Sequence, residues 1–435
     1  MLTWSPAAFV SEKNDSFRTS LWHATATEQH HAQVLSGQHS CQVAIIGGGY
    51  TGLSAAITLA TNQWDTILLD AREPGFGGSG RNGGQVIPAF KYDPDRLAIE
   101  YGDELGHAML EMIGQTADTV FDYIRRYDIQ CDPERGWLQV ADTQKGVSTL
   151  QSRFQQWRSR NAPVELWDAS RISMETGSTR YLLGVYFQNA GTVQPLSYAR
   201  GLARAACTNG ARVYSGSPAI RIEQRGKQWE VHTKSGSVRC DRLIIATNGY
   251  TTGLWPGLKE SLVPVYSMQI ATNPLPNALH DCVLPGVPAV ADTRNLVSYY
   301  RRDRNRRFIF GTRGPFRAAP TEKDAKQLAS CARTLFPALQ ETDFPYKWAG
   351  RVAMTIDHVP HLHELAPGVF AALGYNGRGV ALGTMMGKIL ASACMHASTK
   401  GLPYPSSPLK SIPFHAFHLL GVQAMIAYYR LLDTL

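Results

Sequence analysis

The run Gln42-Val-Ala-Ile-Ile-Gly-Gly-Gly-Tyr-Thr-Gly-Leu-Ser-Ala-Ala-Ile constrains this chain more than any other stretch of it. Val43 to Ile46 has the length and β-branched content of a buried parallel strand. It ends in Gly47-x-Gly49-x-x-Gly52 and opens into a helix of small residues, Ser54 to Ala60. In that order Gly47 permits a tight turn, Gly49 lets the backbone approach a pyrophosphate, and Gly52 allows close packing of helix on strand. The pyrophosphate would meet the unpaired N–H groups and positive dipole end of the helix. A second apolar strand, Thr66 to Leu69, runs into Asp70, 18 residues past Gly52. That spacing suits a carboxylate accepting hydrogen bonds from a ribose.

The 435 residues suffice for two or three domains, and the formal net charge of +8 is mildly basic. Its only dense basic run, Arg301, Arg302, Arg304, Arg306 and Arg307, lies between the strand-like segments 297–300 and 308–310. It reads as a solvated hairpin tip, so no nucleic-acid partner is expected. Seven cysteines are widely spaced with no Cys-x-x-Cys pair. That argues for a reducing, cytoplasmic setting and against a disulfide framework. No secretory pattern and no apolar run of membrane-spanning length is visible. The apolar and aromatic tail Phe414 to Leu432 suits packing on its own domain, with peripheral membrane contact as the alternative.

Residues 1–39 read as an irregular leader in which Trp4 and Trp22 suggest anchored points. A glycine-dense loop, Gly75 to Gln85, follows Asp70, and helical periodicity covers 95–128. Trp137 to Val140 reads as a strand, Ser197 to Cys207 as a helix, and Arg242 to Ala246 as a buried strand running into Thr247-Asn-Gly-Tyr250. A second strand–glycine–helix junction comes late: Val369 to Gly374, then Tyr375-Asn-Gly-Arg-Gly379, then a helix from Val380 to Cys394. A nucleotide domain assembled from separated segments would bring both junctions to one ligand.

Together these landmarks resemble the D-amino-acid oxidase (DAO) superfamily of FAD-dependent amine and amino-acid oxidases, over roughly residues 40–400. The motifs are Gly47-x-Gly49-x-x-Gly52, Asp70, Ala246-Thr-Asn-Gly249, Thr355-x-Asp357-x-x-Pro360 and Gly374-Tyr-Asn-Gly-Arg-Gly379. Gly80-Arg-Asn-Gly-Gly-Gln85 and Ala427-Tyr-Tyr-Arg-Leu-Leu-Asp433 resemble the branch holding γ-glutamylputrescine oxidase and bacterial L-pipecolate oxidases.

The resemblance implies an α/β (α+β) fold: a Rossmann-like FAD-binding domain of the glutathione-reductase/DAO type with an inserted antiparallel-sheet substrate domain. The expected boundaries are 40–100, 190–262 and 345–398 for the discontinuous FAD-binding domain. Residues 101–189 and 263–344 form the substrate domain, and 399–435 the tail. Gly47, Gly49, Tyr50, Thr51 and Gly52 would hold the pyrophosphate, with Asp70 and Arg72 near the adenosine ribose. Ser79, Gly80, Arg81, Asn82 and Gly84 would lie along the ribityl chain and isoalloxazine, and Ala219 beside adenine. Thr247 and Gly249 join them, and Gly374, Tyr375, Asn376, Gly377, Arg378 and Gly379 would face the pyrimidine side of the flavin.

FAD is expected to be non-covalent, because Gly350 stands where some relatives attach it through a cysteine. Ala381 replaces a carboxylate-binding lysine of those relatives, and no lysine near Phe308–Gly311 matches the one they use toward oxygen. Tyr266, Tyr299, Tyr300 and Trp348 are candidate pocket walls, and Arg351 and Arg378 candidate carboxylate anchors; the catalytic residue itself is left to the flavin. His358-x-x-His361-x-His363 is interrupted by Pro360, and no metal is expected.

The implied reaction is hydride transfer from the carbon beside a neutral amine to flavin N5, giving an imine, with O2 reduced to H2O2. The substrates implied are an L-pipecolate-like cyclic secondary amino acid or a γ-glutamylated amine. The alternatives are a flavin dehydrogenase passing electrons to a membrane quinone, and a non-catalytic flavin- or nucleotide-binding partner.

Overall fold

The computed structural model describes residues 15–30, 33–314 and 316–434. Two sheets organise them. In the first, the strand order is His361–Ala366, Val369–Leu373, Gly236–Ile245, Gly37–Ile46, Thr66–Leu69, Arg212–Tyr214. The inner neighbours are parallel, with Ile46 level with Leu69 on one side and Ile245 on the other. Val43, Ala44 and Ile45 are fully buried, which is why this stretch is apolar without alternation. The hairpin Arg221–Arg225/Gln228–His232 continues off Gly236–Ile245.

The helix Tyr50–Thr61 packs between the first sheet and the helices Pro195–Thr208 and Gly379–His396, so ten of its twelve residues are buried. Contact with Gly379–His396 is close enough that a Cβ on Gly387 would sit 2.4 Å from the Thr51 carbonyl oxygen. The two glycine junctions, more than 300 residues apart in sequence, are therefore neighbours in space.

The second sheet runs Tyr346–Met354, Val263–Pro274, Arg307–Arg313, Tyr299–Arg302, Ala289–Asp292, Glu134–Ala141, Leu183–Thr192, Gln85–Val86, with Val164–Asp168 also on Leu183–Thr192. All its pairings are antiparallel except Ala289–Asp292 with Glu134–Ala141. The boundary read at 345 thus precedes a strand that belongs to this second sheet rather than to the nucleotide sheet. Helical periodicity at 95–128 resolves into three helices, Pro94–Tyr101, Asp103–Gly114 and Thr116–Arg126.

Three local readings need correction or completion. The arginine run does form a hairpin, but Arg301 is only 3% exposed and donates to the carbonyls of Gly84 (3.2 Å) and Val193 (2.6 Å). Burial pushes its pKa down to about 10. The tail is a helix, His418–Thr434, that rests on its own domain along a half-buried face and through Asp433 on residues 295–296, with no residue of 411–433 fully buried. In the leader, Trp22 is buried and donates Nε1 to the Asn82 carbonyl at 2.8 Å, whereas Trp4 lies outside the described residues.

Candidate functional site

A cavity of about 550 Å³ lies between the two sheets. Its nucleotide end is walled by Ile46 to Thr51, Leu69 to Arg72, Ala219 and Ala246 to Tyr250. Gly47 takes φ +114°, a conformation that ordinary side chains avoid, and the next residues lead into a helix whose N-cap, Gly49, supplies no side-chain hydrogen bond. Its first N–H groups are left for something else to satisfy. Gly52 is not on the cavity wall: a Cβ there would lie 2.0 Å from the Gly47 carbonyl oxygen. It holds the turn against the helix.

Asp70 keeps the first turn in shape. Its Oδ2 accepts the Gly48 N–H at 2.6 Å and its Oδ1 the Arg72 N–H at 2.7 Å. Burial raises the carboxyl pKa, and the two backbone donors oppose that shift. Ser79 Oγ accepts the Tyr50 N–H at 3.1 Å, and Asn82 Nδ2 donates to Ser79 O (2.8 Å), Gly78 O (3.0 Å) and Tyr50 Oη (3.1 Å). Tyr50 in turn donates to Pro195 O at 3.1 Å and to Ser79 O. The polar loop is thus stitched to the first helix.

The second junction enters from the other side. Tyr375, Asn376, Gly377, Arg378 and Gly379 line the cavity, and Tyr375 shares a 2.7 Å hydroxyl hydrogen bond with Thr51. Asn376 Oδ1 accepts the Thr355 N–H at 3.0 Å and Nδ2 donates to Gly374 O at 2.6 Å. Gly374 N–H donates to Asn248 Oδ1 at 2.9 Å, so this residue supports the loop rather than facing the space. The helix Gly379–His396 starts at Arg378 without a side-chain cap. Burial lowers the Arg378 pKa to about 10, Arg153 adds to that, and Asp93 opposes it.

The far end is walled by side chains: Gln85, Ile87, Lys91, Trp137, Gln139, Tyr266, Asn295 to Val297, Tyr299, Thr312, Arg313 and Arg351. Arg351 Nε donates to the Tyr266 hydroxyl at 3.0 Å, with its guanidinium carbon 5.4 Å from the Tyr250 ring centre. Tyr299 shares a 2.6 Å hydrogen bond with Ser267 Oγ. Burial and the nearby Arg378 lower the Lys91 pKa.

Several expected wall residues are elsewhere. Tyr300 is fully buried, donates its hydroxyl to Tyr181 at 3.0 Å and packs edge-on to Phe336. Adjacent residues of a strand face opposite sides, so Tyr299 takes the cavity and Tyr300 the core. Trp348 is buried against Trp22 and donates Nε1 to Arg81 O at 3.0 Å. Arg81 lies behind the wall, clamped by Asp15 (Nη2–Oδ2 2.9 Å, with a second contact through Nη1) and by Phe76 O at 2.7 Å. Gly80 and Gly84 shape the same loop without lining the cavity: a Cβ on either would come within 2.3 Å of a backbone oxygen. Lys91, Trp137, Gln139, Asn295 to Val297, Thr312 and Arg313 are wall residues that the sequence does not reveal, because no local motif marks them, and Gln85 stands out only as the end of the Gly80–Gln85 motif.

The histidines of the interrupted His358-x-x-His361-x-His363 pattern take separate partners, although the rings of His361 and His363 touch edge to face. His361 Nε2 pairs with Asp357 at 2.9 Å, and His363 Nδ1 bonds Ser407 O at 2.7 Å. A different trio, Glu223, Glu230 and His232, brings its ligand atoms within 4.8 Å of one another, but Arg225 already bridges the two carboxylates.

The residues present fit a dinucleotide carrying an extended ring system. A glycine cradle admits close approach, two helix starts without side-chain caps converge on one cavity, and the half-buried Asp70 carboxylate stands on the same wall. A family model described as "DAO: FAD dependent oxidoreductase" matches residues 42–393. The chain is 32% identical over 405 residues to a probable oxidoreductase OrdL of Haemophilus influenzae, covering 90% of this chain and 91% of that one. It is 30% identical over 427 residues to the gamma-glutamylputrescine oxidoreductase of Escherichia coli K12, covering 96% and 98%. Among solved structures, glycine oxidase from Geobacillus kaustophilus superposes with a TM-score of 0.70 at 21% identity, over 86% of this chain and 99% of that one.

Proposed function

The chain belongs to the DAO family of FAD-dependent oxidoreductases, enzymes acting on amines and amino acids, and from that premise we propose that it oxidises the C–N bond of a carboxylate-bearing amine, a γ-glutamylated amine first and an L-pipecolate-like cyclic amino acid second. The observation that carries this reading is the charge of the far end of the cavity. Lys91, Arg313, Arg351 and Arg378 all line it, and Arg378 has no ion-pair partner among the described residues. Asp93 acts on Arg378 from beyond ion-pair distance, and a substrate carboxylate in the cavity would offset more of the cost of desolvating this cation. The similarity to gamma-glutamylputrescine oxidoreductase makes a γ-glutamyl compound the first one to test.

The chemistry supplied by bound FAD is two-electron acceptance from the carbon beside the amine. The cofactor residues read in the sequence divide the work of holding it. The turn Gly47 to Thr51 borders the pyrophosphate, held in shape by the Gly48 N–H on Asp70 and the Tyr50 N–H on Ser79. Asp70 and Arg72 flank the ribose, Ser79 and Asn82 fix the loop along the ring system, and Ala219 borders adenine. The start of the helix Gly379–His396, with Arg378, favours negative charge at the pyrimidine side, which makes reduction easier. Tyr266 and Tyr299 cover the reacting end and exclude water, while Arg351 or Arg378 holds the carboxylate. Orientation of the C–H bond, rather than an acid–base side chain, supplies most of the rate. Non-covalent attachment is favoured because the Cβ position of Gly350 lies 2.9 Å from Arg81 Cβ, leaving no space for a linking side chain.

The proposed acceptor is O2, reduced to H2O2, in a cytoplasmic setting favoured by seven free cysteines. A second reading, electron delivery to a quinone, is favoured by the exposed apolar helix His418–Thr434. An anaerobic titration of the flavin spectrum with γ-glutamylputrescine, L-pipecolate, L-proline and sarcosine tests all of this. Bleaching by one of them and recovery on admitting air is the expected result. Bleaching that persists in air moves the acceptor to a quinone, and no bleaching by any carboxylate-bearing amine overturns the substrate class.

A further inference from the structure

The helix His418–Thr434 is anchored mainly near its two ends. Ahead of it, His415 Nε2 bonds the Leu262 carbonyl oxygen at 2.8 Å. At its far end Asp433 accepts the N–H groups of Asn295 (2.9 Å) and Leu296 (3.0 Å) and the Asn295 side-chain amide (2.8 Å). His418, Val422, Ile426, Tyr429 and Asp433 are half-buried, a spacing that marks the face turned to the protein. The opposite face carries Leu420, Ala424 and Tyr428 in line, extended by Phe417 and Phe414. Phe414 is 83% exposed, Phe417 63% and Leu420 62%. A soluble surface helix normally keeps its apolar side chains on the inner face, whereas this one carries them on its inner face (Val422, Ile426, Tyr429) and its outer face alike, with Arg430 exposed.

We infer that this outward face seats the protein on an anionic lipid surface, with the helix lying in the interface. Its 17 residues reach about 26 Å at the α-helical rise, and no helix among the described residues is long and apolar enough to cross a membrane. Charge selects the lipid. The segment from 399 onward holds Lys400, Lys410 and Arg430 against Asp433, whose carboxylate already serves the 295–296 backbone, and the whole chain is net positive by 8. Basic residues flanking Phe, Leu and Tyr are what an interfacial helix presents to acidic headgroups. Lipid also suits the breadth of the apolar surface: Leu419 and Met425 extend it sideways, and acyl chains conform to a wide convex patch without a matching groove. Because Asn295 and Leu296 line the cavity, seating the helix would turn that end of the cavity toward the membrane.

The test uses the full FAD-loaded chain, sedimented with vesicles of phosphatidylcholine alone or mixed with phosphatidylglycerol, at low and high salt. Binding is expected with the mixed vesicles, weaker in high salt, and lowered roughly tenfold or more in a Phe417→Ser, Leu420→Gln, Tyr428→Ser triple variant. These side chains face outward, so the variant should keep its flavin spectrum and melting temperature. Recovery in the supernatant with every vesicle overturns the inference, as does binding that the triple variant retains. Self-association abolished by the same substitutions, without vesicle binding, would assign the face to a second copy instead. None of these outcomes depends on which amine the enzyme oxidises.

Discussion

The two ends of the cavity are built from different materials. The nucleotide end is mostly backbone: a positive-φ glycine, uncapped helix starts and one carboxylate holding two N–H groups. The far end is side chain, delivered by strands and loops scattered from Gln85 to Arg378. A backbone wall tolerates almost no change in shape but is indifferent to which amine is oxidised. A side-chain wall can be altered residue by residue, and its charges set the substrate. Substitutions at the two ends should therefore fail in different ways.

The largest expected effect is at the backbone end. A Gly52→Val side chain would start 2.0 Å from the Gly47 carbonyl oxygen, and neither helix nor strand can retreat. The purified variant should carry little or no flavin even after incubation with FAD, as absorbance would show. Near-stoichiometric flavin would mean that the turn yields, and that the contrast between the ends is overstated.

Next comes the strut behind both ends. Arg81 and Asp15 are 3% and 9% exposed, and the guanidinium also holds the Phe76 carbonyl. Asp15→Ala leaves a buried cation unpaired, at about 3–5 kcal/mol. A fall in Tm of about 3–5 °C is expected by scanning calorimetry for a chain of this length. A Tm unchanged within error would show that the pair is solvated and dispensable.

At the side-chain end, Arg378→Gln should retain flavin while kcat/KM for a carboxylate-bearing amine falls. Loss of one charge-assisted hydrogen bond is worth about 1.5–3 kcal/mol, or roughly 10- to 150-fold. An amine lacking a carboxylate should lose much less. If flavin is lost instead, Arg378 belongs to the cofactor's half and Arg351 becomes the better anchor.

The same division explains what could be read in the sequence. Gly47, Gly49, Asp70 and Gly377 to Gly379, all on the cavity wall, stand out in the sequence because the backbone there dictates residue type within a short, ordered stretch, whereas Ala219 is implied only by the family resemblance. Fold class followed from that and from two late landmarks, Asn248-Gly249 and Tyr375-Asn376. The far wall was not legible, since aromatic content says nothing about which way a strand residue points. Tyr299 and Tyr300 are neighbours with opposite fates, and Trp348 was lost to the packing around Trp22. Arg301 defeated the expectation of a solvated tip because its partners, the Gly84 and Val193 carbonyls, lie more than 100 residues away. Long-range acceptors leave no mark in a local charge pattern.

The smallest effect lies on the seam between the two glycine junctions. Thr51 and Tyr375 meet at 2.7 Å, joining the first helix to the loop that opens the last one. Thr51→Val keeps the volume and β-branching but removes the hydroxyl, leaving the buried phenol with the Ala372 carbonyl oxygen at 3.2 Å as its remaining partner. The cost should be about 1 kcal/mol. Flavin binding should weaken about fivefold with it, because both junctions shape one cofactor seat, while the ratio of kcat/KM between two amines stays constant. Dilution-induced loss of flavin fluorescence quenching measures the first, and steady-state kinetics the second. A changed substrate ratio would mean that this seam also positions the far wall, and that the two ends are mechanically one.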